Sequence, residues 1–306
     1  MKNWVSYQNG NYKVSLDLTT GTKIRENDLT FFDAEFPESA DVKITNRCSN
    51  GCSFCHEGST KDGKHSDALH SSVWDSFHPY SEVALGGGNL MEYPDLVPLL
   101  ERLKTLKLIP NITVHQWDFE KNFDLIKKLS DEKLIYGLGV SLDKVTPEFI
   151  DKMKQFPNGV IHVINGIVTG VQMMALANND LKILILGYKT VRRGNKLYHS
   201  NVGYAIDKRK TLLYNHLEMI LKENWFKVVS FDNLAIKQLK PQRLVSKEYW
   251  DSCYMGEDYD TMTSASMYID LVENEFACNS CDVDHRFKVE DKTVTEMYQF
   301  LKGLKQ

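Results

Sequence analysis

The chain has 306 residues, 42% of them hydrophobic, and a formal net charge of −4, enough for a sizeable core and long for a single domain. The slightly acidic balance, without a dense basic tract, gives no demand for nucleic acid or an anionic membrane, and Lys208, Arg209 and Lys210 read as a solvated helix face. No run approaches a membrane span and the first residues lack the apolar core of an export signal, so a soluble, reducing cytoplasmic setting is expected.

Residues 1–40 are polar and turn-rich. Asn9-Gly10-Asn11 and Thr20-Gly21 flank the alternating run Tyr12-Lys13-Val14-Ser15-Leu16, which predicts a small N-terminal β-hairpin. From residue 42 the pattern changes to strand-like runs at 42–45, 83–85, 111–115, 135–140, 160–163 and 182–186. Helical spacing falls between them at 96–106, 119–129, 146–153 and 168–177, with Asp118 and Thr146-Pro147 as candidate helix starts. Strands alternating with helices at this interval predict right-handed crossovers and an α/β fold with a mainly parallel sheet. In such folds ligands gather at the carboxyl ends of the strands.

The chemistry-bearing residues lie at those ends. After the first strand come Cys48, Cys52 and Cys55, spaced C-x3-C-x2-C. Soft thiolates select iron–sulfur clusters, zinc or copper(I), and three of them leave one metal position open; a closed zinc site would want a fourth ligand such as His56. After the second strand stand Gly86, Gly87, Gly88 and Asn89, a triplet that lets backbone approach a ligand closely. Ser141 and Asp143 end the fourth strand, where they can hydrogen-bond a ribose hydroxyl or simply cap a turn. Asn165-Gly166 follows the fifth. Tyr188 and Lys189 follow the sixth, placed to pack on a base and meet a carboxylate, or to form an exposed basic loop. His56, His65 and His70, with Glu57, crowd the cysteine loop as candidate proton donors.

The cysteine spacing, with aromatic Phe54 just before the third cysteine, resembles the signature of the radical S-adenosylmethionine (radical SAM) superfamily. The resemblance implies a partial (β/α)6 barrel in which Cys48, Cys52 and Cys55 hold a [4Fe-4S] cluster whose open iron chelates S-adenosylmethionine. Phe54, Gly86, Gly87, Gly88, Asn89, Ser141, Asp143 and Tyr188 are the implied cofactor-binding residues. Reductive cleavage then yields a 5′-deoxyadenosyl radical that takes a hydrogen atom from substrate, with electrons from a donor such as flavodoxin or ferredoxin. Asn89-Leu90 departs from the pattern, since many relatives carry Glu or Asp-Pro there.

Past residue 203 a helix at 210–221 and a strand at 226–231 precede an irregular polar stretch, 240–265. A hairpin then turns near Glu273-Asn274, with Cys278 and Cys281 at its exit and Cys253 upstream. This resembles the twitch (half-SPASM) extension, which holds an auxiliary iron–sulfur cluster. Glu273 stands where a glycine is usual, and Cys253 lies farther upstream than the pattern has it. Asp282, Asp284, His285 or an outside molecule are candidates for the fourth ligand, and a zinc knuckle of Cys253, Cys278, Cys281 and His285 satisfies tetrahedral geometry equally well. The expected division is 1–40 hairpin, 41–235 barrel and 236–306 extension. The expected substrate is a peptide or protein side chain, with a small molecule or nucleotide as the alternative; a non-catalytic, zinc-stabilised binding protein is the reading from another class.

Overall fold

The N-terminal segment folds as the alternation requires. In the computed structural model, which describes residues 3–29, 31–254 and 264–304, β1 (Trp4–Asn9) and β2 (Tyr12–Asp17) pair antiparallel around Gly10. Gly10 has φ +59°, and a Cβ there would lie 1.9 Å from the Asp33 carbonyl oxygen. A third strand, β3 (Lys23–Glu26), adds to β2, so the predicted hairpin is a three-stranded sheet. Tyr12, Val14 and Leu16 are buried beneath it.

The main sheet runs in parallel through β4 (Ser39–Thr45), β5 (Glu82–Gly87), β6 (Ile109–His115), β7 (Gly137–Ser141), β8 (Gly159–Ile164), β9 (Lys182–Leu186) and β10 (Val228–Phe231), side by side in chain order. The connections carry α1 (Leu96–Thr105), α2 (Gln116–Lys121), α3 (Phe123–Asp131), α4 (Pro147–Met153), α5 (Gly170–Leu176), α6 (Arg192–Tyr198), α7 (Gly203–Lys222) and α8 (Asn233–Leu239). Thr146 caps α4 ahead of its N-terminal proline, and Thr169 with Gln172 forms a capping box on α5. The helix expected over 119–129 is broken at Asn122 into α2 and α3.

Strands that neighbour one another in chain order, joined by right-handed crossovers, place their helices on one face of the sheet. The alternation agrees: Val42, Ile44, Val83, Leu85, Ile112, Val114, Val140, Ile161, Val163, Ile183 and Ile185 are all buried on that face. The other face is the inner surface of the open barrel.

The C-terminal segment joins the same sheet. After α9 (Lys247–Cys253), β11 (Ser266–Asp270) pairs parallel with β4, followed by antiparallel β12 (Glu275–Ala277) and β13 (Phe287–Lys288). The expected hairpin therefore covers the first-strand edge of a ten-stranded sheet, and α10 (Val294–Gly303) packs Phe300 against Phe276 and Phe287. No helix among the described residues is long and apolar enough to cross a membrane.

Glu38, buried where the two sheets meet, accepts from Tyr12 Oη (2.6 Å), Arg25 Nε (2.8 Å) and Arg25 Nη2 (2.7 Å), and lies 3.0 Å from Lys23 Nζ. Burial alone would raise its pKa; the Arg25 hydrogen bonds and the Lys23 and Arg25 charges overcome that and hold it below the usual carboxylate value. A depressed folded-state pKa stabilises fully above the unfolded value, and the contribution is lost as pH falls through the folded one. Glu38→Gln is therefore expected to lower the melting temperature near neutrality and to flatten its fall with acid, checked by thermal melts from pH 7 to pH 3.

Candidate active site

The loop after β4 carries the three cysteines and is pinned at both ends. The Asn46 amide donates to the Lys64 carbonyl (2.8 Å), the Cys48 amide to Thr60 (2.8 Å), and the Cys55 amide to Cys52 (3.2 Å) in a tight turn. Its front edge is held from the segments that follow β5 and β6: the Ser49 amide donates to Glu92 Oε1 (3.0 Å), and Asn50 Nδ2 to Asp118 Oδ2 (2.6 Å). All three thiols are half-buried. Burial first, and then the charges of Cys55 and Cys48, push the Cys52 thiol up to about 11; Cys48 moves in the same direction. The thiols thus face one another closely enough to repel as thiolates, a cost that a bound cationic metal reverses. Among the described residues no three His, Cys, Asp or Glu side chains converge tightly enough to hold a single ion. Three soft thiolates on one loop are a donor set that an iron–sulfur cluster accepts.

The glycine turn abuts this loop. Gly88 N donates to the Thr45 carbonyl (2.7 Å) and Asn89 N to Arg47 (2.8 Å). A Cβ on Gly87, at φ +108°, would lie 2.3 Å from the Thr45 oxygen, and one on Gly88 2.1 Å from the Arg47 oxygen. These two glycines are required for the approach of two backbones. Gly86 alone faces open space, with nothing within 4 Å of an added Cβ. Asn89 is a buried strut: its Oδ1 accepts from Met91 N, and its Nδ2 reaches Asp118 Oδ1 (2.9 Å) and Glu92 Oε1 (3.1 Å).

Behind the cysteines lies a buried ionic hub. Glu57 is 3.3 Å from Lys43 Nζ, 3.3 Å from His56 Nε2 and 3.6 Å from Arg192 Nη1, and accepts from Tyr268 Oη at 3.4 Å. Lys43 also pairs with Asp270 on β11 at 3.0 Å. Burial alone would raise Glu57; His56, Lys43 and Arg192 reverse this and pull it down to about 2. Burial, then the Lys189 charge, holds His56 below its ordinary value, so the imidazole is neutral near pH 7. Lys189 Nζ lies 3.3 Å from His56 Nε2 and donates to Ser280 Oγ at 3.1 Å, bridging the first cysteine loop to the second.

This architecture has counterparts among solved structures. SuiB of Streptococcus suis bound to precursor peptide SuiA superposes with a TM-score of 0.64 at 13% identity, over 99% of this chain and 89% of that one. SuiB bound to S-adenosylmethionine gives 0.64 and 13%, over 100% and 90%. The anSMEcpe structure with bound S-adenosylmethionine gives 0.54 and 14%, over 87% and 78%. The chain has the fold of the radical SAM enzymes. No protein-family model and no curated protein sequence matches it significantly.

Within the radical SAM fold, the remaining residues singled out from the sequence divide clearly. Phe54 is half-buried on the cysteine loop, and Ser141 is half-buried at the carboxyl end of β7, register-paired with His115 and His162. The Asp143 carboxylate accepts from the Trp117 indole (3.0 Å), while its amide and that of Lys144 donate to Gln116 Oε1 at 2.9 Å each. Tyr188 is 2% exposed, its hydroxyl donates to the Gly194 carbonyl (2.8 Å), and Lys210 Nζ lies over its ring. Asn165 is fully buried, with Nδ2 on Gln238 and Oδ1 left without a partner. His65 is held by Thr45 and His70 by Asp67, each 2.8 Å away. Sequence reasoning missed Glu92, Lys43 and Asp270, and read Asp118 as a helix start, whereas it lies inside α2, which His115 caps, and holds Asn50 and Asn89.

In the second set, Asn279 Oδ1 accepts from the Cys281 and Asp282 amides and shapes the loop between Cys278 and Cys281. Burial raises the Cys281 thiol and Lys189 opposes it. Cys253 is exposed at the end of α9, Asp284 is exposed, and Asp282 is engaged with His285 at 2.9 Å. The described positions of Cys253, Cys278, Cys281 and His285 do not gather around a single ion.

The glycines give a paired test. Gly88→Ala is expected to cost about 1–3 kcal/mol by forcing apart the two backbones, read as a lower melting temperature and reduced iron uptake. Gly86→Ala should melt like the wild type yet bind S-adenosylmethionine more weakly by titration calorimetry, because its methyl group enters only open space.

Proposed function

We propose that this protein is a radical SAM enzyme acting on a peptide or protein side chain. The observation that carries the reading is the arrangement of Cys48, Cys52 and Cys55 on one loop at the mouth of a radical SAM barrel, against an open glycine turn. In this reading Cys48, Cys52 and Cys55 hold a [4Fe-4S] cluster, and Phe54, Gly86, Ser141 and Asp143 border the S-adenosylmethionine site. When bound, the cluster and S-adenosylmethionine supply a 5′-deoxyadenosyl radical that abstracts hydrogen from an unactivated carbon. The chain's own residues do the rest. Gly87 and Gly88 bring the two loops together, Asn89, Glu92 and Asp118 hold the cysteine loop in register, and the inner sheet face keeps substrate away from bulk water.

A peptide substrate is favoured over a small molecule or nucleotide because a structure of the same fold was captured with a precursor peptide. Cys278 and Cys281, with Cys253, are proposed to hold an auxiliary iron–sulfur cluster; the cations Lys189 and Arg286 beside that loop suit an anionic centre. A flavodoxin- or ferredoxin-type donor in a reducing cytoplasm would supply electrons. We take 1–40, 41–235 and 236–306 as hairpin segment, barrel and extension, with the extension welded to the barrel through β11. A zinc-stabilised binding protein is the weaker reading, since it gives the open glycine turn beside the three-cysteine loop no role.

Metal and sulfide content after anaerobic reconstitution tests this. Two cubic clusters are expected, falling to one in a triple Cys253, Cys278 and Cys281→Ala variant that still cleaves S-adenosylmethionine. Cys52→Ala should reduce 5′-deoxyadenosine formation to background. Unchanged cleavage in Cys52→Ala, or zinc in place of iron at the first site, would overturn the reading.

A further inference from the structure

We infer that Asp41 is the docking partner of a cationic group on the substrate, an amine or guanidine carried on an aliphatic chain. The inference rests on the barrel interior being the reaction chamber proposed above. On β4, Ala40, Val42 and Ile44 are buried under the helices, which turns Asp41, Lys43 and Thr45 to the inner face. The register sets Asp41 beside Ala84 on one side and Tyr268 on the other. Asp41 is open to water although it belongs to a central strand. It lines a chamber.

Its charge is uncompensated. Among the described residues Asp41 makes no ion pair within 4 Å, and its carboxylate has no hydrogen-bond partner there. Lys43, two residues on, is already matched by Glu57 and Asp270. Lys189 is close enough to act on Asp41, but its ammonium is engaged by Ser280 and His56. Glu57 and Asp232 add negative charge to the same region. Asp232 has its own duty, accepting from the Gly187 amide (2.9 Å) and the Ala235 amide (2.6 Å) at the start of α8.

The histidines of the inner face supply no cation. Burial pulls His162 down to about 4 and holds His115 below its ordinary value. His162 is seated where Gly139 leaves room, since a Cβ there would come within 2.3 Å of its ring. Across the same face Val160, Ile164, Leu184 and Leu186 are half-buried and offer an apolar wall. A carboxylate without a partner on the inner face attracts an incoming cation, and the wall accommodates the cation's aliphatic stem.

The test uses the full chain, before and after iron–sulfide reconstitution, with n-butylammonium as probe and n-butanol and butyrate as matched controls. Saturable binding of butylammonium, preferred over both controls and weakened more than about tenfold in Asp41→Asn, is expected. Asp41→Asn should melt at the wild-type temperature or above it, because the carboxylate has no intramolecular contact to lose. Equal binding by wild type and Asp41→Asn, no preference for the amine over the alcohol, or a lower melting temperature in Asp41→Asn would overturn the inference. S-adenosylmethionine cleavage without added substrate is measured alongside. Its absence in the wild type would count against the enzyme reading, whereas cleavage retained with no butylammonium preference would count against Asp41 alone.

Discussion

A carboxylate from the cysteine loop, buried among groups from three other segments, is the constraint on which the site depends. Glu57 lies two residues beyond Cys55 and meets Lys43 of β4, Arg192 of α6 and Tyr268 of β11, while Asp270 of β11 completes the neutralisation of Lys43. Taking such charges out of water is expensive, and removing one partner from a buried set leaves the others uncompensated at a cost of about 3–5 kcal/mol. The network is therefore specific. It tolerates one arrangement of the cysteine loop over the sheet, and that arrangement includes the C-terminal strand. Arg192 reaches Glu57 from a backbone at φ 45°, a conformation unfavourable for a non-glycine L-residue that the surrounding contacts sustain.

Much of the barrel was legible because its strands have one wall of continuous aliphatic residues. The runs at 42–45, 83–85, 111–115, 160–163 and 182–186 sit within β4, β5, β6, β8 and β9, and the run at 135–140 overlaps β7 with its start displaced by two residues. The interruption of the expected 119–129 helix at Asn122 was not legible, since both halves carry helical spacing. β3 escaped notice as well: Lys23–Glu26 is short and charged, and earns its place through Arg25 and Lys23 on Glu38. The pairing of β11 with β4 links residues more than two hundred positions apart, and no local pattern encodes that register.

The site shows the same division. Cysteine spacing is a local property, so Cys48, Cys52 and Cys55 stood out. The struts that fix them are not local: Asn50 and Asn89 share the two oxygens of Asp118, and Glu92 takes the Ser49 amide. Each strut is an ordinary polar residue in the sequence and acquires its role only when β4, β5 and β6 lie side by side. The glycine triplet was legible as a close approach, but the neighbouring backbone that Gly87 and Gly88 meet was not. Gly87 and Gly88 meet neighbouring backbone, and Gly86 alone faces space. Tyr188 drew attention as an aromatic at a strand end, yet its ring is spent on packing beneath Lys210 and against Tyr198.

The two cysteine loops are therefore best understood as one electrostatic unit. Lys189 stands between them, donating to Ser280 of the second loop while facing His56 of the first, and its charge acts on both His56 and the Cys281 thiol. Ser280 is held from the opposite side by Arg286, whose guanidinium lies over the Tyr268 ring, and Tyr268 in turn donates to Glu57. The path from Cys55 through His56, Lys189 and Ser280 to Cys281 is continuous and returns through Arg286, Tyr268 and Glu57. A change of charge at either loop is felt at the other through at most a few hydrogen bonds in a low-dielectric interior. The C-terminal segment, an extension by chain order, is by this circuit a structural part of the barrel mouth.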